Sequence, residues 1–184
     1  MPAMTSSRPV KAATAALGAL AAAVTLTAVP APAEARALSI SCAASGQSRF
    51  SPGVQLLPQS QQVTYLGDER SCNDHSGNGI TGARITADFR DVRLSCVASQ
   101  YVSGSGTGTI TWDNGETSSV EVSIDESLFH QASVSGVVRR GLFAGKRFTG
   151  QFSTDLLAGG VKCTAGVFFG GLRQAPFTGE FSIG

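Results

Sequence analysis

Downstream of Leu38, apolar and polar residues alternate one by one through stretch after stretch. Ala83, Ile85, Ala87 and Phe89 share one face, with Arg84, Thr86 and Asp88 on the other. Val92, Leu94, Cys96 and Ala98 repeat the pattern, as do Val120, Val122 and Ile124 against Ser119, Glu121 and Ser123. Val161, Cys163, Ala165, Val167 and Phe169 make a further row, and Phe177, Phe181 and Ile183 oppose Thr178, Glu180 and Ser182 near the end. A period of two is the strand signature, since successive side chains leave a strand on opposite faces. One apolar and one wet face is the habit of antiparallel sheets. The pattern therefore predicts an all-β domain, an antiparallel β-sandwich or flattened β-barrel of roughly eight to ten strands.

Breaks in the alternation predict the turns. Asp113-Asn114-Gly115 separates two β-prone runs, and Asn-Gly supplies the positive φ that a tight hairpin needs. Trp112 shares a face with Ile110 and is expected in the core. Asp88 and Asp91 flank an expected turn at Phe89-Arg90. Residues 46–60, with Pro52 and Pro58, and residues 72–82 read as loops. Glycine is abundant, at 22 residues, and many fall inside strand patterns. Phe148-Thr-Gly150-Gln-Phe152-Ser153 and Phe177-Thr-Gly179-Glu-Phe181-Ser182 are near copies. In each, the glycine lies on the face of two phenylalanines, which predicts a strongly curved sheet with rings over the glycines.

The N-terminus is of another kind. Arg8 and Lys11 precede an Ala/Leu/Val run at 12–29, and Ala33-Glu34-Ala35 and Ala35-Arg36-Ala37 offer small-x-small exits. This is the layout of a secretory signal peptide, residues 1–37, cut after Ala37 to leave one domain at 38–184. Loss of Arg8, Lys11, Arg36 and Glu34 leaves 11 basic and 12 acidic residues, a net charge of −1. Without a concentrated positive field, neither nucleic acid nor an anionic membrane is an expected partner.

Four cysteines in an exported chain read as two disulfides. Three pairings are possible. Cys42–Cys72 with Cys96–Cys163 is preferred because it staples each half separately. There is no Cys-x-x-Cys, and the spacings match no zinc pattern.

The search for chemistry returns little. His75 lies in Asn73-Asp74-His75-Ser76, too close to its neighbours in sequence to build a catalytic triad with them, and reads as an exposed polar residue. His130 alternates with Leu128, Ala132 and Val134 and reads as a hydrogen-bonded histidine at the core edge. Asp125-Glu126 and Asp68-Glu69 read as turn formers and solubilising charges. Gly104 to Gly108 is glycine-rich but leads into a strand, so it lacks the helix N-terminus of a phosphate cradle. No catalytic residue, metal site or cofactor is expected. The candidate binding loop is Asn73, Asp74, His75 and Asn78.

One resemblance adds to this. The Ala-rich leader, the segment Gly106-Thr-Gly-Thr-Ile-Thr-Trp-Asp-Asn-Gly115, the segment Gly136 to Gly145, the late Cys163 and the Gly-Glu-Phe-Ser-Ile end resemble small secreted β-proteins of actinobacteria. That resemblance implies an extracellular, disulfide-bonded β-domain and assigns no catalytic residues. The expected function is a secreted, non-enzymatic module that binds a protein, glycan or envelope component. The alternatives are a small secreted hydrolase and an extracellular protease inhibitor acting through residues 72–82. Intact-mass and non-reducing peptide analysis of the exported chain should show Leu38 as the first residue and a Cys96–Cys163 peptide. An uncut leader, or free thiols at those two cysteines, would refute this reading.

Overall fold

The computed structural model describes residues 40–95, 104–128, 131–156 and 170–184. The leader at 1–37, the row at 161–169, Cys96, His130 and Cys163 lie outside the described residues. The described chain forms nine antiparallel strands: β1 Ile40–Val54, β2 Gln59–Gly67, β3 Arg70–Asp74, β4 Gly82–Leu94, β5 Ser105–Trp112, β6 Thr117–Leu128, β7 Gln131–Gly141, β8 Arg147–Thr154 and β9 Leu172–Ile183. Each strand from β4 to β9 pairs with the next, and β9 returns to pair with β1 from Ile40–Ile183 to Arg49–Gln174. The result is a closed, eight-stranded up-and-down barrel with one additional strand. β3 continues the line of β2: both lie between β1 and β4, and the register slips by one residue across Asp68 and Glu69. Closure gives every strand two neighbours and removes the exposed edges that invite aggregation.

The alternation read from the sequence becomes inside and outside. Ile85, Phe89, Ile110, Val120, Val134, Phe148, Phe177 and Phe181 are buried in the barrel. Outward positions such as Thr64, Asp88, Thr107 and Glu121 are polar and sit side by side across the strands, and Arg139 reaches Glu121 with its side chain at 2.7 Å. These outward side chains are polar, unlike the apolar outer band of a membrane-spanning barrel. Among the described residues, no helix is long and apolar enough to cross a membrane.

Two aromatic clusters fill the barrel. At the end where β5 turns into β6, Trp112 lies edge-on to Phe143 at 5.3 Å. Its Nε1 donates to Ser118 Oγ at 2.9 Å, and Ser118 Oγ donates on to the Leu142 carbonyl at 2.5 Å. A buried indole N–H and a buried hydroxyl are thus both satisfied, as a desolvated polar group requires. Towards the other end, Tyr65 packs edge-on against Phe89 at 5.8 Å and Phe177 at 5.0 Å, geometry favoured by the ring quadrupoles.

The two near-copy segments pair with each other. Gly150 stands opposite Phe181, and Phe152 stands opposite Gly179, a reciprocal arrangement about a local two-fold. A Cβ on Gly179 would lie 2.8 Å from the Phe152 ring and 2.3 Å from the Gln151 carbonyl oxygen. The rings therefore occupy room that the glycines leave, as the sequence suggests. On β7, a Cβ on Gly136 would lie only 2.0 Å from the Glu121 carbonyl oxygen, so the wall can coil there only with glycine.

Three expectations change. Phe89-Arg90 is not a turn: β4 runs through it, and the register shift against β2 between Gln61 and Val63 marks a bulge, with Asp91 at φ 57°. Most of 46–60 belongs to β1 or β2, leaving only 55–58 as a loop, because β1 gains partners in both β2 and β9. The Asp113-Asn114-Gly115 hairpin forms, but only Gly115 has positive φ, at 86°. Trp112 N donates to Glu116 O at 2.9 Å, which closes a three-residue loop with its glycine in the left-handed position.

Gly136→Ala should lower stability by roughly 1–3 kcal/mol or more, through backbone displacement at Glu121. Urea unfolding reads this directly; an unchanged midpoint would show that the wall does not need glycine at that position.

Candidate functional site

Barrels of this size either pack shut or hold one small ligand. The interior cavity measures about 30 Å³ and is lined by Val63, Tyr65, Phe89, Val122, Phe177 and similar side chains. Among the described residues, the Tyr65 hydroxyl is the only polar side-chain group in that lining, and it is shared with Thr154 Oγ1 at 3.3 Å. An engineered cavity that admits benzene is about 150 Å³. The inside is therefore core, and recognition falls to the outside.

The candidate loop at 73–81 is ordered by one carboxylate. Asp74 Oδ1 accepts from Ser76 N at 2.7 Å and from Ser76 Oγ, and Oδ2 accepts from Ile80 N at 3.1 Å. Asn78 Nδ2 donates to Ser76 Oγ at 2.7 Å. Partial withdrawal from water pushes Asp74 up, but the hydrogen bonds from Ser76, Ile80 and Gly79 outweigh this and hold its carboxyl below the usual 3.8. Across the rim, Asp113 Oδ2 accepts from Thr81 Oγ1 at 2.5 Å and from Thr81 N at 3.0 Å. Chiefly the Thr81 hydroxyl keeps Asp113 below its usual value too. At the base of the loop, Cys42 and Cys72 face each other directly across β1 and β3 and are joined by a disulfide. A closed loop of 30 residues contributes roughly 3–4 kcal/mol by restricting the unfolded chain.

This arrangement assigns roles. Asp74 is a structural acceptor within its own turn, while Asn73, His75 and Asn78 are exposed. Gly77 and Gly79 have φ of 80° and 71°, so the segment is a compact double turn, not the extended strand that a protease cleft takes. Among the described residues, no group of three or more His, Cys, Asp or Glu is placed to hold a metal ion.

The larger feature was not visible in the sequence. A depression of about 700 Å³ crosses the outer wall over β3, β1, β9, β8, β7 and β6. The strand register explains its lining. Asn73, Ser41, Ser182, Thr149 and Ser135 stand side by side in one row across successive strands, and Ser123 continues that row beyond the depression. Ala43, Glu180, Gln151 and Ser133 form the adjacent row. Gly150 and Gly179, whose missing side chains admit Phe152 inside, lie in its floor. The hydroxyls are held in place: Thr149 Oγ1 and Ser182 Oγ are 2.9 Å apart, and Ser135 Oγ donates to Asp125 Oδ1 at 2.9 Å. Among the described residues, the charged side chains in the lining are Asp125 and Glu180. A second depression, of about 810 Å³, meets this one at Ser135 and carries Asp88, Arg90, Glu121 and Arg139.

Fold and surface together define a closed, polar-walled antiparallel barrel with a packed interior and a hydroxyl-lined outer depression. No protein-family model, curated protein or solved structure matches the chain.

Both depressed carboxyls tie their loops only while ionised. Their contribution is complete above the usual 3.8 and is lost as pH falls through the lower folded values. Thermal midpoints should therefore fall below about pH 3.8. Asp113→Asn should lower the neutral-pH midpoint and flatten part of that acid slope; an unaltered slope would remove Asp113 from this role.

Proposed function

We propose that this chain acts as an exported, non-enzymatic binding module whose ligand lies on the outer wall, in the depression over β1, β9, β8 and β7. The observation that carries this reading is the depression itself. It is large, carries the hydroxyls of Ser41, Ser135, Thr149 and Ser182, and is built on paired strands, so its groups are held at fixed positions without a mobile loop. Sites on regular elements are more exact than sites on loops. The disulfide at its edge is compatible with an oxidising, extracellular setting.

The surface favours binding over hydrolysis. Glycoside hydrolysis sets two carboxyl groups roughly 5–10 Å apart across a substrate. The carboxylates here, Asp125 on β6 and Glu180 on β9, are separated by three strand spacings, about 14 Å at the backbone. Asp125 is engaged with Ser135, and neither carboxylate has a histidine in the shared lining. The compact turn at 74–81 likewise gives the inhibitor reading no extended segment to present.

The test is binding of residues 38–184 to fractionated extracellular glycans, envelope material and secreted proteins. Thr149→Arg and Gln151→Arg place bulk and charge in the depression at exposed positions and should leave the thermal midpoint unchanged. Ligand retention should fall about tenfold or more in each. Retention indifferent to both substitutions, or turnover of the ligand, would overturn the proposal.

A further inference from the structure

The reading above leaves the chemistry of the ligand open, and the depression narrows it. Resting on that reading, we infer that its ligand is an uncharged polysaccharide that crosses the strands of the barrel. Ser41, Ser182, Thr149, Ser135 and Ser123 follow one another across β1, β9, β8, β7 and β6 at one level of the wall. Neighbouring strands are about 4.8 Å apart. That step is close to the length of one pyranose ring along an extended glycan, so successive sugars meet successive hydroxyls. Each hydroxyl both donates and accepts, as do the hydroxyls of a sugar. Ser135 already donates to Asp125, which leaves its lone pairs to accept from the ligand.

Charge excludes the other polymers. Among the described residues, the lining contains no Lys or Arg, and its two charges, Asp125 and Glu180, are both negative. Phosphate-bearing or uronic-acid polymers would be repelled there, and nothing in the lining would neutralise them. Gln151 and Asn73 extend the neutral amide and hydroxyl chemistry on either side. Among the described residues of the lining, the one aromatic ring, Phe181, is buried inside the barrel and does not stack on a sugar. Each neutral hydrogen bond has a small net worth, because it replaces one to water. The ligand must therefore engage several sugars at once. This selects a polymer over a mono- or disaccharide.

The experiment is co-sedimentation of residues 38–184 with neutral polysaccharides (cellulose, chitin, curdlan) and, in parallel, with polygalacturonate beads and immobilised secreted protein. The wild type should be retained on at least one neutral polymer, unreleased by about 1 M NaCl, which screens ionic contacts, and absent from polygalacturonate. Thr149→Arg and Ser182→Arg should each reduce retention about tenfold at an unchanged thermal midpoint. If one of these variants lowers the midpoint, Gln151→Arg, at an exposed position, provides the same readout. Preference for polygalacturonate, or release by salt, would overturn the neutral-polymer inference. Capture by protein alone, abolished by the same variants, would overturn it while leaving the binding-module reading standing. Retention on a neutral polymer that ignores every variant would overturn both, and so would the absence of retention on all the supports.

Discussion

Closure of the sheet on itself is the constraint from which the other properties follow. β1 and β9 pair along most of their lengths, and no strand of the barrel keeps a free edge. A closed eight-stranded wall has little interior space, and this one fills it with Trp112, Tyr65 and the phenylalanines. Such a wall must also bend sharply. The bend is met by glycines on the inner face and by bulges at Asp91 and between Ile124 and Glu126. The reciprocal pairing of Gly150 with Phe181 and Gly179 with Phe152 unites both demands. A ring fills the interior at the point where the backbone carries no side chain.

The same constraint shapes the outside. Where inner side chains are missing, the wall draws inward, and Gly150 and Gly179 are in the floor of the outer depression. The second depression shows the same relation with Gly106 and Gly136. The outer surface is thus a consequence of core packing. Rigidity comes with it, since the lining belongs to strands hydrogen-bonded on both sides. The disulfide secures β3 against β1 at its margin.

Much of this was legible in the chain, and the reason is periodicity. A period of two assigns Ile85, Val120 or Phe177 to the interior without knowledge of their partners, because each strand alone shows its two faces. The hairpin at Gly115 was legible because left-handed backbone needs a particular residue. A barrel was among the expected folds, but the pair of strands that closes it was not legible, because β1 and β9 lie at opposite ends of the described chain and nothing local records their pairing. The bulge at Asp91 was read as a turn for the same reason: polar residues beside an interruption look alike until the partner strand is known. Gln61 is a sharper failure. It is 2% exposed, and its amide has no hydrogen-bond partner, although its sequence neighbours Ser60 and Gln62 are polar and exposed. In the candidate loop, Asp74 accepts hydrogen bonds from the turn itself, a role that its place in the sequence does not record. The outer depression was invisible because its row of hydroxyls is spread over residues as distant as Ser41 and Ser182 and exists only in the register.

That row is hard to attribute to folding alone. Outward strand positions are best stabilised by β-branched and aromatic residues, which cover the pleated surface and favour extended backbone. The chain uses threonine in this way elsewhere, at Thr64, Thr86, Thr107 and Thr109. Over β6 and β7 the outward positions include Ser119, Ser123, Ser133 and Ser135, beside Glu121 and Arg139. Serine forgoes the methyl group that would strengthen the strand, but it keeps a hydroxyl at the surface and leaves the space above it open. Solubility does not demand this choice, since threonine or lysine would serve it as well. What serine alone supplies is a shallow wall of donors and acceptors close to the backbone, and that is the property a polar ligand lying against the barrel would use.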